Sequence, residues 1–241
     1  MEVHHHAHTG GKSFRHYLFE FFMLFLAVFC GFLAEYFLEH TIEHQREEQF
    51  VASLVKDLKD DTARINKVAV YCSRQLEGLD SLLNLLDTHP THPDSVNKAY
   101  QLYKIYALAY ERVVFNTRTL TQLKNSGSMR LIRNQSVSDS IMHYDAYMQN
   151  VELQFGLVQD SWRDESDYSF QLFDLGAVLR RRADPTRAQI FLTTDPKIFS
   201  GYTSRLTMFL GLIAAYNREI RGLKVLAEGL ILNLEEHYDL D

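Results

Sequence analysis

Proline is nearly missing from this chain. Pro90, Pro93, Pro185 and Pro196 are its four prolines, and none falls between residues 13 and 87. Proline removes a backbone N–H and clashes with the preceding helical turn, so its absence permits one very long helix there. Glycine interrupts that stretch only at Gly31 and Gly78. Cysteine is almost as scarce. Cys30 and Cys72 exclude a disulfide scaffold, and no CxxC pair exists. On one helix their 42-position separation corresponds to about 60 Å, far beyond bonding reach. Cys72 is therefore expected as a partly buried free thiol. Positive charge is in deficit, with 25 Lys and Arg against 31 Asp and Glu and a net charge of −6, which argues against nucleic acid as a partner. There is no phosphate loop, no nucleophile elbow and no strand-like alternation.

Against these absences stands one long apolar run at 17–38, YLFEFFMLFLAVFCGFLAEYFL, uncharged from 21 to 34. About 20 helical residues cross the ~30 Å hydrocarbon layer, so the run is long enough to span. Glu20 and Glu35 then fall near the headgroups. Phe14, Tyr17 and Phe19 crowd one edge and Tyr36 and Phe37 the other, as in an interfacial aromatic belt. A cleaved leader would need a small-x-small site after the run, and Glu39, His40 and Thr41 follow instead. The run reads as an uncleaved signal anchor. Lys12 and Arg15 precede it, while Arg46 is the sole cation from 39 to 55. Positive-inside logic puts the N-terminus in the cytoplasm. The expected organisation is a short His-rich cytoplasmic tail at 1–16, a transmembrane helix at 17–38 and a soluble helical-bundle domain at 39–241.

Helical spacing continues past the run through Phe50, Leu54, Leu58, Ile65, Val68, Cys72, Leu76, Leu79, Leu83 and Leu86. The tract THPTHPD at 88–94 is a turn. A second helix is expected at 95–124 with Asp94 as N-cap, carrying an apolar stripe and a tyrosine ladder of Tyr100, Tyr103, Tyr106 and Tyr110. Gly127 suits a left-handed cap. A short helical turn is expected at 129–133. A third helix should start near Ser136, with Ser136 and Asp139 as a capping box, and reach Arg182. Asp195–Pro196 suggests a short turn before a last helix at 203–237. The fold class is all-α: a single N-terminal transmembrane helix continuing into an elongated antiparallel bundle of about four long helices.

Several residues carry candidate chemistry. His4, His5, His6 and His8 form a dense imidazole cluster suited to weak divalent-metal binding, although a polar leader is the plainer reading; no other cofactor is expected. His40-Thr41-Ile42-Glu43-His44 matches the H-x-x-E-H zinc pattern, with both histidines one turn apart on one helix face. A zinc enzyme needs a third ligand, for which Glu111 is the loose candidate. Ala27, Gly31 and Ala34 place small residues on one face of the span, the spacing that lets membrane helices approach closely. Arg180, Arg181 and Arg182 suit a helix C-terminus.

The stretches FFMLFLAVFCGFLAEY and LEHTIEHQREEQF, followed by LKNSGSMRLI at 123–132, resemble a set of membrane-anchored helical proteins of unknown function common in Bacteroidota. That resemblance implies a cell-envelope protein of a bacterium with two membranes and supplies no active-site residues. Together the readings point to a non-enzymatic inner-membrane protein. Its periplasmic bundle would self-associate or bind another envelope protein, with the lipid bilayer as the other partner. The alternatives are a sensor-like module holding a ligand beside the tyrosine ladder, signalling through a partner, and, remotely, a membrane-tethered zinc hydrolase built on HTIEH.

Overall fold

A computed structural model describes residues 14–176 and 190–238. The described chain is helical, with α1 (Phe14–Leu86), α2 (Pro93–Leu102), a π-helical turn (Tyr103–Ala107), α3 (Arg118–Asn125), a 3-10 turn (Ser128–Leu131), α4 (Gln135–Ser169) and α5 (Pro196–His237). No strand occurs among the described residues; a lone bridge joins Phe173 and Phe191. The chain divides into two compact units, Met1–Gln49 and Phe50–Asp241.

In the first unit, every described residue from Phe14 to Ile42 is exposed, including Phe21, Phe22, Phe25, Phe29 and Phe32. Within α1 an 18-residue window has a mean hydropathy of 2.2 and none of it is buried, so the helix is long and apolar enough there to cross a membrane. Ordinary soluble helices bury such a face, so the exposure of aromatics all round the helix is what a lipid-facing span requires.

In the second unit, α1 buries a stripe spaced alternately three and four residues apart. It consists of Val51, Leu54, Leu58, Asp61, Ile65, Val68, Cys72, Gln75, Leu79, Leu82 and Leu86. That alternation keeps one helix face on the core. Asp61 and Gln75 are its polar exceptions. α5 carries the same spacing from Phe199 to Leu234 without a charged residue, and α4 carries it from Val137 to Ser169, with Glu165 and Ser169 as exceptions. Pairs between α4 and α5 descend in order: Ser140 meets Asn233, Tyr147 meets Glu219, and Glu165 meets Tyr202, so these helices are antiparallel. α1 and α5 are antiparallel too, with Lys59 on Glu235 and Ser73 beside Asn217.

Among the described residues three α-helices are long, at 73, 35 and 42 residues; the expected helix at 95–124 is broken. α2 stops at Leu102, the chain widens through the π turn, and 109–117 runs as a strap without regular structure before α3. Val113, Val114 and Phe115 have weak helix propensity, and neighbouring helices satisfy the strap's backbone. The first turn of α2 also differs from expectation: Pro93 opens it, and His92, rather than Asp94, is its N-cap. At α4 the cap is Asn134, whose side chain accepts from the Ser136 and Val137 amides, in place of the expected Ser136–Asp139 box. α4 ends at Ser169, well before Arg182, because Phe173 turns inward to stack on Tyr103 with ring centroids 4.1 Å apart. Asp195 caps α5 directly at Pro196, so the turn expected there is the first turn of the helix itself. Gly127 does adopt the left-handed conformation, at φ 68°. Gly78 leaves room for the Tyr106 ring, which a Cβ there would overlap.

Candidate functional site

In the first unit, Ala27, Gly31 and Ala34 lie on the exposed apolar part of α1, and a Cβ at Gly31 would meet nothing within 4 Å. The small-residue face is thus open. His40 stacks on Tyr36 at 6.2 Å, and His44 lies 3.5 Å from both Glu47 and Glu48. No cluster of three or more His, Cys, Asp or Glu able to hold a metal is assembled among the described residues. Glu111, the candidate third ligand, sits in the second unit, where its charge acts on Tyr71 and Cys72. His4, His5, His6 and His8 lie outside the described residues, as do Arg180, Arg181 and Arg182. Cys72 is a free, buried thiol whose pKa burial pushes up to about 11.

The tyrosine ladder is packed, not open. Tyr100 and Tyr103 are buried against Phe173, Tyr106 fills the space over Gly78, and Tyr110 meets Phe155 and Trp162 edge-on.

The strap is where chemistry-bearing side chains converge. The Gln75 amide donates to the carbonyls of Tyr106 at 2.7 Å and Ala109 at 2.6 Å. Trp162 donates to Ala107 O at 3.0 Å, and the Val113 amide donates to Tyr216 Oη at 3.0 Å. Arg64 donates to Val114 O at 2.8 Å. The Asn116 amide donates to both Asp61 oxygens, at 3.0 and 3.1 Å. Thr119 donates to the Asp57 carboxylate one turn below. The nine residues of the strap make no regular backbone ladder, Val113 is the one among them that is buried, and these side chains tie the strap to α1, α4 and α5 where helix bonds are missing.

Burial dominates the electrostatics here. It pushes Asp61 up to about 6, against the lowering effects of the Asn116 amide and Arg64; Asp57 and Asp60 add to the rise. The Tyr144 hydroxyl is buried without a well-formed hydrogen bond; burial raises its pKa most, and the charges of Asp61 and Asp57 add to the rise.

On its outer side, the strap forms one wall of a groove of about 590 Å³ against α4. It is lined by Phe115, Thr117, Met148, Gln149 and Leu153, with the Arg112–Glu152 ion pair, 2.6 Å long, across it. Arg112 also lies 5.4 Å over the Phe155 ring. The apolar floor and paired charges suit a small amphiphilic guest. The stripe positions Asp61 and Gln75 were the sequence signal for the strap: a polar residue at a core position needs partners, and although Arg64 on α1 comes within 3.6 Å of Asp61, the strap supplies the hydrogen bonds.

The chain matches no family model, no curated protein and no solved structure.

Proposed function

We propose that the protein is a non-enzymatic, single-pass envelope protein. The apolar part of α1 anchors it, and its second unit serves as a scaffold or interaction module. The observation that carries this reading is the uninterrupted exposure of aromatic and aliphatic side chains from Phe14 to Leu38 on a helix of spanning length. Supporting it, Asp57, Asp61 and Gln75, buried in the second unit, are engaged in holding the strap and α3 to α1. The sequence resemblance to membrane-anchored proteins of Bacteroidota fits the same picture, and the Lys12/Arg15 bias supports a cytoplasmic N-terminus with the second unit in the periplasm.

Co-purification from native membranes tests the interaction role. A defined partner or a homo-oligomer should elute with the protein, and a lone monomer at native expression would overturn it. Orientation is read with Val225→Cys, at a position 68% exposed on α5. A maleimide that crosses the outer but not the inner membrane should label this variant in whole cells. Wild type should stay unlabelled, because Cys72 is buried and Cys30 lies in the span. Labelling of the variant only after lysis would reverse the topology.

A second reading, a ligand-binding sensor module, is favoured by the groove between the strap and α4. Thermal-shift screening with amphiphilic small molecules addresses it, and Leu153→Arg should abolish any stabilisation found.

A further inference from the structure

Glu165 stands on the core stripe of α4, and its side chain is fully buried. Hydroxyls surround it. Tyr202 Oη of α5 donates to one carboxylate oxygen at 2.6 Å, and Ser166 Oγ to the other at 3.4 Å. Ser169 Oγ donates to the Ser166 carbonyl at 2.7 Å and shares a 2.7 Å hydrogen bond with Tyr103 Oη of the π turn. Among the described residues no cation faces the carboxylate. Arg205 of α5 and Asp164 of α4 pair with each other at 3.2 Å on the outer side, and Lys104 of the π turn and Asp167 of α4 are exposed. A buried carboxylate without a cation is strongly disfavoured, and hydroxyl donors repay only part of its lost hydration.

Tyr202 ties this carboxylate to an aromatic cluster. Its ring meets Phe173 at 5.5 Å and Tyr103 at 6.5 Å, and Phe173 stacks on Tyr103. Phe191 bridges Phe173 at 5.5 Å and Phe199 at 5.2 Å. The same cluster fixes the chain on either side of 177–189: Tyr100 Oη donates to Ile190 O at 2.7 Å and accepts from the Asp174 amide at 2.8 Å.

We propose that Glu165 is a proton-binding site at the junction of α4, α5 and the π turn, and that loss of its proton loosens the aromatic cluster holding residues 170–176 and 190–195. The inference goes beyond the anchoring role and is independent of it. Burial pushes the Glu165 pKa up to about 7, against lowering by Tyr202 and Ser166. The folded state therefore binds this proton more tightly than the unfolded chain does. The stability contributed is full below the ordinary Glu value of 4.5 and is lost as pH rises through about 7.

Hydrogen–deuterium exchange on the full chain in detergent micelles reads this directly, after correction for intrinsic exchange. Between about pH 5 and about pH 8.5, protection at 166–176 and 190–206 should fall by roughly 10- to 100-fold, the linkage for one to two pKa units. Glu165→Gln, which keeps an acceptor for Tyr202 and carries no proton to lose, should hold the protection constant. Tyr202→Phe removes a donor to the charged form, so its fall should move to higher pH. That variant keeps the test decisive even if Glu165→Gln does not fold. Flat wild-type protection, the same fall in Glu165→Gln, or an unmoved fall in Tyr202→Phe would each overturn the proposal.

Discussion

Leu26→Arg combined with Phe29→Arg is expected to move the protein out of the carbonate-resistant membrane fraction. Both residues lie near the middle of the 17–38 run and face outward, at 49% and 47% exposure. An arginine at the centre of a spanning helix costs about 2.5–3.5 kcal/mol, and each substitution also forfeits the few tenths of a kcal/mol that Leu or Phe contributes. The pair therefore opposes insertion by roughly 6–8 kcal/mol, and neither side chain sits close enough to a headgroup to escape by snorkelling. Val70→Arg serves as the control, since Val70 is half exposed on the second unit and has no part in the span. Unchanged retention of the double variant would remove α1 as the anchor.

Gln75→Leu should destabilise the second unit by about 1–3 kcal/mol, the cost of an acceptor left unpaired at the half-buried Tyr106 carbonyl, with the exposed Ala109 carbonyl turning to water. The substitution suits the apolar stripe of α1 by every sequence criterion, and the loss comes mainly from the carbonyl of Tyr106. Gln75→Glu should be at least as harmful, because it sets a carboxylate oxygen against two carbonyl oxygens. Denaturant unfolding followed by the emission of Trp162 reports the change locally, since its indole donates to Ala107 O within the same turn. A Gln75→Leu variant as stable as wild type would show that the strap does not depend on this clamp.

The three long helices were legible in the sequence because their apolar spacing is regular and proline is excluded from their interiors. Leu54, Leu58 and Ile65 on α1 all fall where spacing puts them. The break after Leu102 was not legible. Leu102, Ile105, Ala109 and Val113 keep a helical period, and the tyrosines at 100, 103, 106 and 110 reinforce it. What overrides that local preference is tertiary: Asp61, Arg64, Gln75 and Tyr216 supply the bonds an intact helix would have made internally. The early end of α4 has the same kind of cause, since Phe173 finds its stacking partner 70 positions upstream. The groove along α4 was beyond reach for a further reason, because one of its walls is the strap, which exists only where the expected helix breaks. Glu165 carried a visible mark, a carboxylate at a stripe position, but the identity of its donors depends on how α4 and α5 register.

The strap also bears on how the second unit can move. Packed helices slide past one another fairly readily when only apolar side chains meet, because one methyl contact replaces another. Here 109–117 and the residues just before it are bonded to α1 through Asp61, Arg64 and Gln75, to α4 through Trp162, and to α5 through Tyr216. Sliding α1 by a single turn, about 5.4 Å, would break its bonds to the strap together; Asp57 stands one turn from Asp61, but Tyr71 and Leu79 stand one turn from Gln75 and neither carries a side-chain amide to replace it. The strap thus works as a stop against piston motion, and any signal relayed through these helices has to travel by rotation or by local melting.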